Sequence, residues 1–306
     1  MGKPFARGKT EVIEKRIERT TSRTAAMTCL SRAASSLEHN RHYHSDDYLA
    51  VKILPSFIRV MIHISLFRKF FFRLFVPPGV YEYVVARTKY IDAVFERALE
   101  DQFDQILIFG AGYDTRALRF HAKARHTRIF ELDEPHTQQA KINQLRKRGL
   151  GIPSNLVFNA VDFEKESLSQ KLVMAGFQKD RRNLFVLEGL LMYLEPEAVQ
   201  ETFQTIRKHA GNGSRVVFDY IQASVLRHEN TLYGEAGLVK SVSKTGEQWQ
   251  FGIEPGEIGS FAAAQGFEVS DHKCVQELEA TYFQDTDGRL VGRVNGTHCI
   301  VTMERR

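Results

Sequence analysis

The hydrophobic rhythm of the chain changes near residue 103. Beyond that point short apolar runs alternate with longer segments of helical period. "QILIFG", "TRIFELD", "NLVFNAVDF", "NLFVLEG" and "SRVVFDYI" read as strands, "EIGSFAAAQGFEVSDHK" as a helix and a strand, and "THCIVTME" as a last strand, the seventh. Strands that alternate with helices predict a parallel sheet covered by helices on both faces. Two of the helices carry their own boundary signals: Pro135 sits in the first turn of one and Gly149 follows its end, while Pro196 and Gly211 bracket another. Residues 222–252 form an irregular insertion with several glycines, suited to a lid or a substrate wall.

The first third is patterned differently. Residues 1–40 read as polar helix, with Glu11, Glu14, Lys15, Glu18 and Arg19 mixing both signs along one solvated face. Residues 49–79 are strongly apolar but interrupted by Arg59, Arg68, Lys69 and Arg73. A bilayer span needs about 20 apolar residues in a row, which this stretch lacks. It predicts two helices of a cap packed on a larger domain, with an amphipathic membrane-surface helix as the alternative. Pro77, Pro78 and Gly79 end it. The chain therefore divides into a helical cap, 1–97, integral to the fold, and a core, 98–306, that carries the lid.

Composition adds bounds rather than a function. The 306 residues are 43% hydrophobic and 26% charged, ordinary for a globular protein. Cys29, Cys274 and Cys299 are odd in number, far apart and without a C-x-x-C pair, which predicts neither a disulfide nor a zinc site and fits a reducing cytoplasm. The opening residues have no basic-then-apolar leader pattern. The net charge of +5 is uneven: residues 1–97 hold 17 Lys/Arg against 9 Asp/Glu. That basic third leaves a peripheral membrane contact open, although a solvated basic face is the simpler reading. "HNRHYHSDD", residues 39–47, sets histidines beside aspartates, but without a regular element to aim them it reads as a hydrated loop, with no metal site.

The chemistry is concentrated in "ILIFGAGYDTRALRFH", residues 106–121. Gly110 and Gly112 allow a tight turn at the end of a strand, the place where open α/β sheets hold a nucleotide. A dinucleotide fingerprint would place Gly or Ala at position 115. Thr115 stands there, after Asp114, and a carboxylate at a diphosphate cradle is repulsive, so a cofactor without a diphosphate fits better. The second strand ends with Glu131 and Asp133 on one face, either of which could hold both ribose hydroxyls. Asp162 could accept an adenine amino group with Phe163 flanking the base, and Glu188-Gly189 ends the fourth strand. Phe109, Tyr113 and Tyr193 are aromatic candidates for the surroundings of a cationic donor, Tyr193 being the candidate catalytic residue.

"TSRTAAMTCLSRAA", "DDYLA", "ARTKYID", "ILIFGAGYDTRALRF", "FELDEP", "AVDF", "LEGLLMYLEPEAV" and "GSRVVFDYI" together resemble the leucine carboxyl methyltransferase family of S-adenosylmethionine (SAM) dependent enzymes, with its bacterial small-molecule relatives. The resemblance runs over about residues 20–300. It implies a seven-stranded Rossmann-like class I methyltransferase sheet, with Arg87 on the SAM carboxylate and Gly110 under the methionine part. It further implies Asp133 on the ribose, Asp162 and Phe163 on the adenine, and Glu188 beside the methionine amino group. Phe163 stands where many relatives have leucine. Arg87 offers a planar fork suited to a carboxylate, and Arg23 could close an N-terminal flap over the cofactor.

The expected activity is SAM-dependent O-methylation, with a carboxylate of a small molecule or protein C-terminus as acceptor, since a carboxylate needs no general base and no His-Asp or Ser-His pairing is legible. A phenol or nucleoside acceptor, or a basic SAM-binding module that engages RNA or membrane, is the alternative. No stable nucleic-acid complex is expected. A nicotinamide oxidoreductase is disfavoured by Asp114, Thr115 and the lack of a hydride-transfer acid.

Overall fold

The computed structural model describes residues 23–161, 166–244 and 248–306. In chain order the elements are α1 (Arg23–Ser35), α2 (Tyr48–Ile53), α3 (Ser56–His63), α4 (Ser65–Phe75), α5 (Val80–Glu100), β1 (Gln105–Phe109), α6 (Arg116–Arg119), β2 (Arg128–Asp133), α7 (Pro135–Lys147) and β3 (Leu156–Ala160). They continue with α8 (Leu168–Met174), β4 (Asn183–Leu187), a 3-10 turn (Leu191–Tyr193), α9 (Pro196–His209), β5 (Arg215–Ile221), α10 (Ala223–Leu226) and α11 (Glu235–Ser243). The last elements are α12 (Ile258–Ala264), β6 (Glu268–Lys273), α13 (Val275–Tyr282) and β7 (His298–Glu304).

The described strands form a seven-stranded sheet in the order β3-β2-β1-β4-β5-β7-β6. The five strands β1 to β5 are mutually parallel, as their alternation with helices predicts. β7 instead runs antiparallel to both β5 and β6, so the sheet is mixed at one side. Strand direction is not encoded in an apolar run, which is why the pattern alone misses this.

Burial on both faces explains why β1 reads as continuously apolar. Ile106 and Ile108 pack with Ala33 of α1, Ile91 and Phe95 of α5 and Leu278 of α13. Leu107 and Phe109 pack on the other face with Leu172 of α8, Val199 and Phe203 of α9 and Ala262 of α12. Each such side chain contributes roughly 1.5–3 kcal/mol on burial. Phe109 thus belongs to the core and is no candidate for a donor pocket. Pro135 and Pro196 take the first-turn positions of α7 and α9, where the missing N–H costs nothing.

The cap departs from its sequence reading in two respects. The helix read over residues 1–40 ends at Ser35, and Glu11 to Arg19 lie outside the described residues. The stretch 49–79 forms three helices rather than two. Asp47 caps α2 by accepting the Ala50 N–H at 3.1 Å, Pro55 precedes α3, and an extended Ile64 separates α3 from α4. Gly79 then begins α5 at a φ of +76°, where a Cβ would lie 2.4 Å from the Asn295 nitrogen, so only glycine fits. The 222–252 insertion is also more regular than it reads, because α10 and α11 are too short to register a helical period.

The cysteine expectation is corrected. Cys274 and Cys299 are joined by a disulfide. The β6–β7 register pairs Lys273 with Ile300, so the next positions, 274 and 299, face each other across two strands. Their spacing along the chain cannot show this, and the reducing compartment inferred from it loses its basis. The histidine-rich loop serves the packing: His42 Nδ1 meets the Tyr282 carbonyl at 2.9 Å and His44 Nδ1 the Glu38 carbonyl at 3.0 Å.

Candidate active site

The connection from β3 to β4 crosses over β1 and β2, so the chain reverses its direction of growth between β1 and β4. That switch point opens a crevice at the strands' carboxyl ends. Gly110 and Gly112 turn the backbone there at φ +57° and +48°. A Cβ on Gly112 would come within 3.3 Å of Ala25 in α1, and one on Gly110 within 3.2 Å of Leu190. The α1 helix therefore lies directly over the glycine turn. Arg23 opens that helix, but its side chain lies outside the described residues, as do Asp162 and Phe163.

The two acids of β2 have separate lives. Asp133 accepts the backbone N–H groups of Gly112 and, at 2.7 Å, of Glu134. Burial raises its pKa and these two N–H groups oppose the rise. Each carboxylate oxygen keeps a second lone pair for a ligand. Glu131 is instead buried against Lys141 of α7 at 2.5 Å. Burial pushes its carboxyl up to about 7 against the pull of that ammonium.

Arg87, on α5, is buried between two acids. Its Nη1 donates to Asp219 Oδ2 at 2.7 Å, and its Nε lies 3.1 Å from Glu188 Oε1. The second contact is within ion-pair distance but not aligned as a hydrogen bond, which leaves Arg87 Nε a buried donor without a partner. Arg116 Nη1 bonds the other Glu188 oxygen at 2.7 Å, and Arg116 Nη2 is likewise buried and unsatisfied. Burial alone would raise Glu188, but the guanidiniums of Arg116, Arg87 and Arg32 outweigh it and hold the carboxyl down at about 2. Two orphaned guanidinium donors beside an ionised glutamate suit the carboxylate and the ammonium of an amino-acid moiety.

Asp114 and Thr115, the departures from a dinucleotide fingerprint, both face inward. Asp114 accepts the Arg116 backbone N–H at 2.6 Å and pairs with its guanidinium; burial would raise it, but Arg116 and Arg32 hold it below the usual carboxylate range. The charge read as repulsive from sequence is therefore compensated. Thr115 Oγ1 donates to Asp47 of the cap at 2.5 Å. Arg119 forks onto Asp92 of α5 with both contacts at 2.8 Å, and Arg32 donates to the Tyr113 carbonyl at 2.6 Å. The network fastens α1, the glycine turn and α5 into one wall.

Asp219, at the fifth strand, is the partner that sequence reading passed over. Besides Arg87 it accepts the Tyr83 hydroxyl at 2.8 Å and the Gly189 N–H at 2.6 Å. The rule that selected the other acids, a carboxylate near a strand's carboxyl end, would have found it. Tyr83 stacks on His298 of β7 with centroids 4.4 Å apart, and Trp249 meets the same imidazole edge-on at 5.5 Å. Burial pushes His298 down to about 4. Tyr193 lies in the 3-10 turn and packs on a small cluster of Met192, Ile221 and Val225 that also receives Trp249. Tyr113 is half-buried against the cap-side core.

The leucine carboxyl methyltransferase family model matches residues 25–207. The chain is 28% identical over 206 residues to "Putative S-adenosyl-L-methionine-dependent methyltransferase YktD" of Bacillus subtilis, covering 67% of each chain. A mycobacterial relative with the same description, from Mycolicibacterium paratuberculosis, is 33% identical over 45% of this chain and 44% of its own length. The chain thus spans about two thirds of the first relative and less than half of the second. The crystal structure of "a putative methyltransferase" from Thermobifida fusca shares the fold at a TM-score of 0.56, with 17% identity over 90% of this chain and 94% of that one. With the glycine turn, the Asp133 carboxylate and the Arg87–Glu188 pair already in place, the chain belongs to the leucine carboxyl methyltransferase family of SAM-dependent methyltransferases.

Proposed function

We propose that the protein transfers the methyl group of SAM to a carboxylate, of a small molecule or of a protein C-terminus. In this reading Arg87 binds the methionine carboxylate and Glu188 the methionine ammonium, with Gly110 and Gly112 leaving room beneath. Asp133 takes the ribose hydroxyls, and Asp162 and Phe163 the adenine. When bound, SAM supplies a methyl group already activated on a sulfonium. The chain's part is to orient donor and acceptor in line and to exclude water. Tyr193 and Trp249, from the lid side, are assigned to the acceptor wall.

The observation that carries the acceptor class is that the described groups beside Arg87 include no base matched to neutral pH, Glu131 being spoken for by Lys141. Around Arg87 the described acids are bound to guanidiniums, Glu188 titrates at about 2, and His298 is held at about 4. Neither is matched to deprotonating a phenol at neutral pH. A carboxylate is already ionised there, since its unperturbed pKa is about 4. The test is to incubate the protein with methyl-labelled SAM and a metabolite extract, then treat the product briefly with alkali. Label released as volatile methanol supports a methyl ester; label retained in the non-volatile fraction contradicts it and directs attention to phenols or nucleosides.

A further inference from the structure

The cap exposes an apolar face that the fold does not use. α3 and α4 are held from beneath: Ile62 is buried, Phe72 packs on the core, and Arg68 pairs with Glu38 at 3.2 Å while donating to the Ile62 carbonyl at 2.9 Å. On the outer side Leu66, Phe70 and Leu74 recur every four residues along α4 and are 79%, 60% and 61% exposed. Phe57 and Val60 of α3 extend the row, at 72% and 66%. So many large apolar side chains side by side exceed what scattered surface residues explain.

Along the segment that carries this face the charges are of one sign. No Asp or Glu occurs between Asp47 and Glu82, whereas Lys52, Arg59, Lys69 and Arg73 all fall there. None of these four is ion-paired among the described residues, and Lys69 and Arg73 flank the Leu66–Phe70–Leu74 row one residue away. No described helix is long and apolar enough to cross a membrane.

We infer that the α3–α4 face docks on an anionic lipid surface, with the leucine and phenylalanine side chains entering the headgroup boundary and the four cations meeting lipid phosphates and carboxylates. A second copy is a poor occupant, because an isologous contact would press the same cations against themselves. Residues 1–22 are a poor one too, for they carry six Lys/Arg against three Glu. The inference stands apart from the acceptor chemistry, since a docked cap is compatible with any acceptor.

The test is sedimentation of the full chain with vesicles of phosphatidylcholine alone and with about a third phosphatidylserine. Salt is varied from about 0.1 to 0.5 M. Docking predicts binding to the anionic vesicles only, weakening with salt. It predicts a loss of about tenfold or more in Leu66→Glu/Phe70→Glu and in Lys69→Glu/Arg73→Glu, with SAM affinity unchanged in both. Because these side chains are exposed, folding is expected to survive, and retained SAM binding verifies it. Absence of vesicle binding, equal binding to neutral vesicles, or equal binding by the variants would overturn the inference. So would a dimer that Leu66→Glu/Phe70→Glu dissociates, or vesicle binding that appears only after residues 1–22 are removed.

Discussion

The Glu131 carboxylate and the Lys141 ammonium lie 2.5 Å apart with both side chains almost wholly buried, which removes one of the two β2 acids from contention as a ligand. Glu131→Ala leaves Lys141 charged and unpaired in the core, a change that typically costs about 3–5 kcal/mol. The expected result is a lower urea midpoint with SAM affinity within about threefold of wild type. Asp133→Ala should do the reverse. Its charge-assisted contacts are worth roughly 1.5–3 kcal/mol, so SAM should bind about tenfold or more weakly. Titration calorimetry and urea unfolding on the two variants separate the roles, and a larger loss of SAM affinity in Glu131→Ala would reverse the assignment.

Arg87 is tied to the site by its fork. Arg87→Lys keeps the positive charge but cannot address Glu188, Asp219 and a ligand carboxylate at once. The affinity for SAM should fall by about tenfold in Arg87→Lys and further in Arg87→Ala. Melting temperature should fall as well, because Asp219 stays buried without its guanidinium. Unchanged affinity in both variants would remove Arg87 from the cofactor site.

Glu188 gives the apo protein an acid-sensitive component. Its folded pKa, about 2, is below the ordinary 4.5, so its stabilisation is complete above pH 4.5 and is lost as pH falls toward 2. Between pH 5.5 and 3.5 this group alone should remove roughly 1–2 kcal/mol of unfolding free energy. Urea titrations at the two pH values should show that loss reduced in Glu188→Gln. An equal loss in wild type and variant would mean that the Arg116 and Arg87 pairing does not stabilise the fold.

Gly112 combines a left-handed backbone with a neighbour above it. Gly112→Ala adds strain at a φ of +48° and brings a methyl to 3.3 Å from Ala25. Pressure on α1 should weaken SAM binding by about tenfold, on the scale of 1–3 kcal/mol for strained backbone. Calorimetry on this variant beside Gly149→Ala, where φ is also positive but a Cβ meets nothing within 4 Å, distinguishes the contact from the strain.

Much of this architecture is local and hence legible. Strand runs such as Ile106–Phe109, the prolines that open α7 and α9, and acids at strand ends are set by neighbours in sequence. What escaped reading is what the folded chain brings together from afar. The antiparallel placement of β7 decides that Cys274 meets Cys299 and that His298 lies against Tyr83, and neither partner is marked in the other's segment. Asp219 stands near the carboxyl end of β5, as the strand-end rule requires, but its partner Arg87, 132 positions away, is supplied only by the fold. Glu131 and Asp133 share a face by alternation, and only the register of α7 against β2 shows that Lys141 takes the first and leaves the second to the glycine turn.

The most direct measurement is a calorimetric titration of the purified full chain with SAM, with its demethylated product, and with NAD and NADP. The site assembled from Gly112, Asp133, Arg87 and Glu188 predicts saturable heat with the first two ligands, diminished in Asp133→Ala and Arg87→Ala, and none with the nicotinamide dinucleotides. Saturable heat with NAD or NADP and none with SAM would contradict it.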